Sequence, residues 1–271
     1  MKKYFVIGNP IDHSLSPEIH DYWIKKNKIK AKYGKKKLNN NDLKDFILKI
    51  RNGEINGLNV TVPFKKEIIP FLDKLTFSAE TTQSVNTIYL ENDKIIGHNT
   101  DIGGFEAAIK SINYKVAGKK VLILGAGGVV SSIIFALFKM KAMSIILTNR
   151  TKSKAEILKD FFNNSSHMDK MIKVINWGEI PDCDMIINAT SVGLHKNDTL
   201  NLDFAKLKSN KFFYDIIYNP GETNFLKKAK ENGHKTENGK KMFIYQAAEA
   251  FKIWHGFQVE INDEINRIFE K

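Results

Sequence analysis

The stretch from Lys119 to Arg150, KKVLILGAGGVVSSIIFALFKMKAMSIILTNR, narrows the possible folds more than any other part of the chain. Val121 to Leu124 is a short aliphatic run that predicts a buried strand, and it enters Gly125-Ala126-Gly127-Gly128. From Val129 to Met140 apolar residues recur at helical spacing, and Ser144 to Thr148 predicts a second strand. A strand, a glycine turn, a helix and a strand make one βαβ unit of the dinucleotide-binding kind. Glycine backbone turns tightly and approaches a pyrophosphate closely. The free N–H groups and dipole of the following helix start then stabilise the negative charge. The candidate contacts are Gly125, Ala126, Gly127, Gly128 and Val129. Val130 stands where the third glycine of the fingerprint usually falls. A glycine turn in an α/β fold that holds no cofactor is the structural alternative.

The end of the second strand sharpens the reading. An NAD-binding unit places a carboxylate there, about 20 residues past the glycines, on the ribose hydroxyl. Here the strand runs into Asn149-Arg150-Thr151, with Lys152 and Lys154 beyond and no carboxylate before Glu156. A guanidinium can fork onto a 2′-phosphate, and Lys154 can add a point charge. The residues therefore point to NADP, with an ordinary solvated basic surface as the alternative.

A chain of 271 residues can bury the core of one large domain or two modest ones. No apolar run reaches the length of a membrane span. The opening MKKYFVIGNP is too short in its apolar part for a secretory signal and predicts a first strand. One cysteine, Cys183, excludes an intrachain disulfide framework and fits a reducing cytoplasm. The scattered histidines do not stand at metal spacing, so no metal is expected. The net charge of +12 is mostly lysine on helix faces, with a run at Lys35-Lys36-Lys37 and no nucleic-acid motif. It reads as a solvated surface that can steer anions, with neither nucleic acid nor membrane as partner.

Taken in order, Tyr4–Ile7 predicts a strand and Gly8-Asn9-Pro10 a turn. Ser16 is placed to cap a helix with Pro17 at its first position and Ile19, Tyr22 and Trp23 as its buried stripe. Ser14 and Ser16 serve either as turn and cap or as a carboxylate site at the helix start. Asn40 or Asn41 is expected to cap a helix carrying Leu43, Phe46, Ile47 and Ile50, ended by Gly53. Ile55–Val62 predicts a strand stopped by Pro63, Lys66–Leu75 a short helix, and Ile88–Gly97 a hairpin turning at Asn92-Asp93. Asn99-Thr100-Asp101 opens a helix with Phe105, Ala108 and Ile112, expected to bridge two domains. Beyond the βαβ unit come a helix from Lys152 to Phe162, a polar loop from Asn163 to Asp169, and strands at Met171–Ile175, Met185–Asn188 and Phe212–Ile216. Ala189–Gly193 is a small-residue loop, and Asn224–Asn232 is a helix ended by Gly233. Two helices follow Lys240, broken near Gly256, the last with Ile261, Ile265, Ile268 and Phe269 on one face. The fold class is α/β. It comprises an N-terminal α/β domain, a Rossmann domain and a helical tail returning to the first domain.

Several pieces together resemble the shikimate dehydrogenase family. They begin with Gly8-Asn9-Pro10-Ile11-Asp12-His13-Ser14-Leu15-Ser16-Pro17 and Asn59-Val60-Thr61-Val62-Pro63-Phe64-Lys65. Val85-Asn86-Thr87, Asn99-Thr100-Asp101, the GAGG loop, Asn149-Arg150-Thr151 and Asn188-Ala189-Thr190-Ser191 follow. Asp215-Ile216-Ile217-Tyr218-Asn219-Pro220 and Gly239-Lys240-Lys241-Met242 with Gln246 complete a set that spans almost the whole chain in family order. Two departures stand out: Val129-Val130-Ser131-Ser132 after the glycines, and Gln83-Ser84-Val85 in place of a frequent Gly-Ala-Val.

The resemblance implies NADPH-dependent, reversible reduction of 3-dehydroshikimate to shikimate in aromatic amino-acid biosynthesis. It implies a substrate domain of residues 1–103 and 240–271, and an NADP domain of residues 104–239. By family pattern Ser14 and Ser16 hold the substrate carboxylate, and Thr61, Asn86, Tyr218 and Gln246 surround the ring. Lys65 and Asp101 form the catalytic pair. Asn149, Arg150 and Thr151 hold the adenosine 2′-phosphate end, and Thr190, Ser191, Ile216, Gly239 and Met242 line the nicotinamide side. The chemistry suits these residue types. Hydride arriving at a ketone leaves an alkoxide, which needs a positioned cation or acid, and a lysine oriented by an aspartate supplies one. A quinate/shikimate dehydrogenase using NAD would favour an acidic residue near Asn149-Arg150. A methylenetetrahydrofolate dehydrogenase has no use for the serine carboxylate motif. A non-catalytic nucleotide sensor would not need Lys65 and Asp101. The oligomeric state is left open between monomer and homodimer.

Overall fold

A computed structural model describes residues 1–165, 171–195, 197–200, 202–204, 207 and 210–269. It divides into two compact units, Met1–Gly104 with Ile244–Lys271, and Phe105–Phe243.

In the first unit the aliphatic segment Lys2–Gly8 forms β1, which pairs in parallel with β2 (Ala31–Lys37) on one side and β3 (Gly57–Val60) on the other. The sheet also contains β4 (Lys74–Leu75), β5 (Thr87–Glu91) and β6 (Lys94–His98), in the order β2-β1-β3-β5-β6-β4. β5 and β6 are joined by Asn92 and Asp93 at φ 49° and 60°. That two-residue turn matches strand twist and suits residues that tolerate positive φ. One face is covered by α2 (Leu43–Arg51), whose Leu43, Phe46, Ile47 and Ile50 are buried with Ile7, Leu58, Val60 and Ile88. Helix α1 (Ser16–Lys26) packs through Ile19, His20 and Trp23. The part of α8 (Lys240–His255) that belongs to this unit adds Phe251 and Trp254, with Trp254 stacked on Tyr4 at 4.9 Å.

The second unit is a parallel sheet. Its strands are β7 (Lys120–Leu124), β8 (Ser144–Thr148), β9 (Ile172–Val174), β10 (Met185–Asn188), β11 (Phe212–Asp215) and β12 (Lys235–Glu237), ordered β12-β11-β10-β7-β8-β9. Helices α5 (Val130–Lys139), α6 (Lys152–Ser165) and α7 (Asn224–Glu231) connect them. The order reverses between β7 and β10, the switch point where doubly wound sheets leave a crevice at the strand ends. β7, β8 and β10 read as nearly unbroken apolar runs because both faces are covered.

Several expectations are corrected. Ser16 is the first residue of α1 rather than its cap; Leu15 takes the cap position, without a side-chain cap bond. Tyr22 is half-buried, while His20 and Ile24 share the buried face with Ile19 and Trp23. The turn before α2 begins at Asn39, whose N–H donates to the Asp42 carboxylate at 2.8 Å, so neither Asn40 nor Asn41 is the cap. The strand expected over Ile55–Val62 shrinks to β3, and the helix over Lys66–Leu75 is absent. Pro70 lacks the N–H that a helix interior needs, so this segment makes turns, a short 3-10 helix (Ile69–Phe71) and β4. The helix α3 (Phe77–Thr82) follows instead. In α4 (Asp101–Ser111) Phe105 and Ala108 are buried as expected, but Ile109 is buried with them and Ile112 falls beyond the helix end. Asn163–Ser165 belong to α6, and the rest of the expected polar loop, through Asp169, lies outside the described residues. The last helix, α9, is only Asp263–Arg267, because Asn262 caps it by accepting from the Ile265 N–H at 3.3 Å. Only Ile265 of its expected apolar face is fully buried.

Candidate active site

Parallel neighbours bring their carboxyl ends side by side, and β1 and β3 do so in the first unit. The loop after β1 carries Ser14 and leads into Ser16 at the start of α1; the loop after β3 carries Thr61 and Lys65. The two loops touch: the Asn9 N–H donates to the Val62 carbonyl at 2.9 Å. A Cβ on Gly8 would come within 2.6 Å of Thr61 Cγ2, so glycine is required at this approach. Ser14 Oγ donates to Ser16 Oγ at 3.2 Å and accepts from the Ser16 N–H at 3.3 Å.

Phe64, 1% exposed, anchors the β3 loop in the core, and the Lys65 carbonyl accepts from the Val85 N–H at 2.8 Å. Asp101 opens α4, and its N–H donates to Asn99 Oδ1 at 3.0 Å. Lys65 Nζ then meets Asp101 Oδ2 at 2.5 Å, with the two side chains only 12% and 7% exposed. Asn86 Nδ2 donates to Asp101 Oδ1 at 2.8 Å and to Thr100 Oγ1 at 2.9 Å. Asn86 Oδ1 accepts from the Thr100 N–H at 2.8 Å, and Gln246 Oε1 lies 3.4 Å from Asn86 Nδ2. Both carboxylate oxygens of Asp101 are therefore occupied. An ammonium has three donors, so Lys65 keeps hydrogen-bonding capacity for a ligand. Ser14, Ser16, Thr61, Lys65, Asn86, Asp101 and Gln246 all belong to this one unit.

In the second unit the glycine loop leaves β7 where the order reverses. Gly125 has φ +112°, and a Cβ there would lie 2.8 Å from the Ala189 carbonyl oxygen. The loops after β7 and β10 are thus in backbone contact. Gly127 and Gly128 are exposed, and a Cβ on Gly127 would find its nearest neighbour only at 4.0 Å. That open backbone, ahead of the N-terminus of the ten-residue α5, fits a pyrophosphate. Val129 takes the helix cap position, and Ala126 is half-buried beside it. Arg150, Thr151 and Lys154 are exposed past β8, and Asn149 Nδ2 donates to the Thr151 carbonyl at 2.8 Å. Lys152 points elsewhere, to Asn176 Oδ1 at 2.8 Å.

The other side of this crevice is built around Asn188 and Asp215, which sequence reasoning did not place in the site. Asp215 is fully buried; its Oδ1 accepts from Asn188 Nδ2 at 3.1 Å and the Ile217 N–H at 3.0 Å, and its Oδ2 accepts from the Thr223 hydroxyl at 2.6 Å. Burial nonetheless raises its carboxyl to about 6. Asn188 Oδ1 holds Thr190 through its N–H at 3.1 Å and hydroxyl at 2.7 Å. Ser191 is exposed next to it. Gly239 is buried against Ile216, whose carbonyl a Cβ would overlap, and Met242 is buried in the same unit. Tyr218 also lies in this unit, its ring 4.4 Å from that of Phe243. Cys183 is buried and its thiol is pushed up to about 12, so it is no nucleophile. Polar residues ending otherwise apolar strands, Asn188 in MIIN and Asp215 in FFYD, were the available signal for the parts missed.

A mixed sheet bearing a buried Lys–Asp–Asn cluster, with a doubly wound parallel sheet bearing an open glycine loop, defines a nicotinamide-dependent oxidoreductase. Residues 6–88 match the family model described as the shikimate dehydrogenase substrate binding domain, and residues 106–220 match shikimate / quinate 5-dehydrogenase. Shikimate dehydrogenase (NADP(+)) of Pelagibacter ubique is 57% identical over 265 residues, covering 97% of both chains. The crystal structure of shikimate dehydrogenase from Aquifex aeolicus is 39% identical, covers 100% of this chain and 98% of its own, and superposes with a TM-score of 0.90. That of shikimate 5-dehydrogenase from Thermus thermophilus, in complex with NADP(H) and shikimate, is 27% identical with a TM-score of 0.87, covering 100% and 98%. The chain belongs to the shikimate dehydrogenase family.

Proposed function

We propose that this chain catalyses reversible hydride exchange between shikimate and 3-dehydroshikimate with NADP, and that Lys65 and Asp101 are its catalytic pair. The observation that carries the assignment is the buried Lys65–Asp101–Asn86 cluster, which fixes an ammonium with donor capacity to spare. NADPH, when bound, supplies the hydride. Lys65 Nζ stabilises the oxygen that gains charge and delivers its proton to it; in the reverse direction the neutral amine takes the proton of the hydroxyl as the hydride leaves the carbon. Asp101 orients the ammonium through Oδ2 while Asn86 holds Oδ1. Thr61, Asn86, Gln246 and Tyr218 give a polyol ring neutral hydrogen-bond partners, and Ser14 and Ser16 take the carboxylate. Of these residues Tyr218 belongs to the second unit and the rest to the first.

In the second unit Gly125, Ala126, Gly127, Gly128 and Val129 hold the pyrophosphate. Asn149, Arg150, Thr151 and Lys154 take the 2′-phosphate end. Thr190, Ser191, Ile216, Gly239 and Met242 form the wall on the nicotinamide side. The absence of a carboxylate from Asn149 to Lys154 supports NADP over NAD. The test is a spectrophotometric assay of cofactor reduction with shikimate and quinate, each with NADP and NAD. Shikimate with NADP is expected to give the highest kcat/KM; a preference for quinate or NAD would overturn the assignment.

A further inference from the structure

The parallel ladder between β10 and β11 ends where the Ile216 N–H donates to the Asn188 carbonyl at 3.0 Å. Past that bond the two strand-end loops are joined by the side chains of Asn188 and Asp215, both fully buried. Each amide proton of Asn188 has its own acceptor: Nδ2 donates to the Val192 carbonyl at 3.0 Å and to Asp215 Oδ1 at 3.1 Å. Asn188 Oδ1 accepts from the Thr190 N–H at 3.1 Å and from the Thr190 hydroxyl at 2.7 Å. Thr190 Oγ1 in turn accepts from the Val192 N–H at 3.1 Å. One side chain thus fixes both residues that flank Ser191, which stays exposed.

On the neighbouring strand Asp215 Oδ1 also accepts from the Ile217 N–H at 3.0 Å, and Oδ2 accepts from the Thr223 hydroxyl at 2.6 Å. The Ile217 carbonyl accepts from the Gly239 N–H at 3.1 Å, and Gly239 lies so close to Ile216 that a Cβ would overlap its carbonyl. Ile216 and Gly239 are thereby set in one piece with Asp215. Two apolar side chains would fill the same space without the cost of burying polar groups. What the polar pair adds is a fixed separation between two loops.

We propose that Asn188 and Asp215 are positioning residues that hold the two loops of the nicotinamide wall, Thr190 with Ser191 on one and Ile216 on the other, at a fixed spacing. The inference rests on the proposed placement of Thr190, Ser191, Ile216 and Gly239 beside the nicotinamide, and it adds what holds them there. Neither side chain needs to touch the cofactor. Hydride transfer is steep in geometry, and a displacement of about 1 Å at the reacting centre costs on the order of 10²-fold in rate. The adenosine half of the cofactor, proposed to lie past β8 around Arg150, depends on other loops.

The test compares Asn188→Ala and Asp215→Ala, which cut the tie, with Asp215→Asn, which keeps it. In Asp215→Asn the Oδ1 still accepts from Asn188 and Ile217, while the new amide donates to Thr223 Oγ1. Each variant is measured for kcat with shikimate under saturating NADP, and by calorimetric titration with NADP and with adenosine 2′,5′-bisphosphate. Asn188→Ala and Asp215→Ala are expected to lower kcat about 10–100-fold and weaken NADP about 3–10-fold, with the bisphosphate within about 2-fold of wild type. Asp215→Asn should stay within about 3-fold of wild type in all three. Should Asn188→Ala fail to fold, Asn188→Ser, which also loses the link to Asp215, is expected to move the same readouts in the same direction. Normal kcat with only a lower melting temperature, equal losses for NADP and the bisphosphate, or an Asp215→Asn as impaired as Asp215→Ala would overturn the proposal. Ser191→Phe adds bulk to the exposed loop and tests the wall itself: it should weaken NADP at least about 10-fold and leave the bisphosphate alone. If Ser191→Phe binds NADP normally, the placement of the nicotinamide fails and the proposal with it. An impaired Ser191→Phe beside a normal Asn188→Ala overturns the proposal alone.

Discussion

Gly125 and Gly127 stand two residues apart in one loop, yet the structure gives an added methyl group opposite consequences at the two positions. At Gly125 alanine would have to adopt φ +112°, which costs about 1–3 kcal/mol for a residue with a Cβ. Its methyl would also sit 2.8 Å from the Ala189 carbonyl, a backbone atom held by the Asn188–Asp215 network. Overpacking of that kind adds about 1–3 kcal/mol. Gly125→Ala should therefore lower stability by about 2–6 kcal/mol, a large share of the roughly 5–15 kcal/mol typical of a folded protein. Gly127 has neither a left-handed φ nor a neighbour nearer than 4.0 Å, so Gly127→Ala should change stability by less than about 0.5 kcal/mol. The new methyl instead occupies the open backbone proposed for the pyrophosphate, and NADP affinity should fall about 10–100-fold. Urea denaturation of the apo-protein, followed by calorimetric titration with NADP, separates the two effects. A Gly127→Ala protein that binds NADP normally would refute the pyrophosphate assignment, and a Gly125→Ala protein of normal stability would refute the packing argument.

Arg150→Ala should weaken NADP binding by about 1–3 kcal/mol, the range for lost charge-assisted hydrogen bonds, and scarcely touch NAD; equal losses in a fluorescence titration would count against it. Replacing both Ser14 and Ser16 by Ala should raise the KM for shikimate while unfolding stays cooperative, whereas lost thermal stability with normal KM would return both serines to a structural role. Asp215, raised by burial to about 6, is protonated in the folded chain at pH values where the unfolded chain has already ionised it. Its contribution to stability is present below about pH 4, is lost as pH rises to about 6, and spans on the order of 3 kcal/mol. The stability difference between wild type and Asp215→Asn should therefore shift toward the variant between about pH 4 and 6 in urea titrations and stay level above that. A difference independent of pH would show that the carboxyl is not raised.

The second unit was the more legible in the sequence. β8 and β10 have the expected bounds, and β7 and α5 lie within a residue of theirs, because strands covered on both faces read as unbroken apolar runs between glycine turns. The first unit hid more. β2 contributes one fully buried residue, Tyr33, among lysines that protect a sheet edge, so the period-two signal disappears under charge. β4 and β12, of two and three residues at sheet edges, are too short to leave a pattern. Lys65 and Asp101 were readable through motifs at strand and helix ends. Asn188 and Asp215 showed only as polar residues ending apolar strands, since their pairing joins positions 27 residues apart.

Steady-state kinetics of Lys65→Ala with shikimate under saturating NADP would decide the proposal that Lys65 acts on the reacting oxygen. A group that works mainly in the transition state lowers turnover more than binding. A fall in kcat of about 10²–10⁴-fold with a smaller change in the KM for shikimate is expected. Near-normal kcat with a raised KM would make Lys65 a binding residue and contradict it.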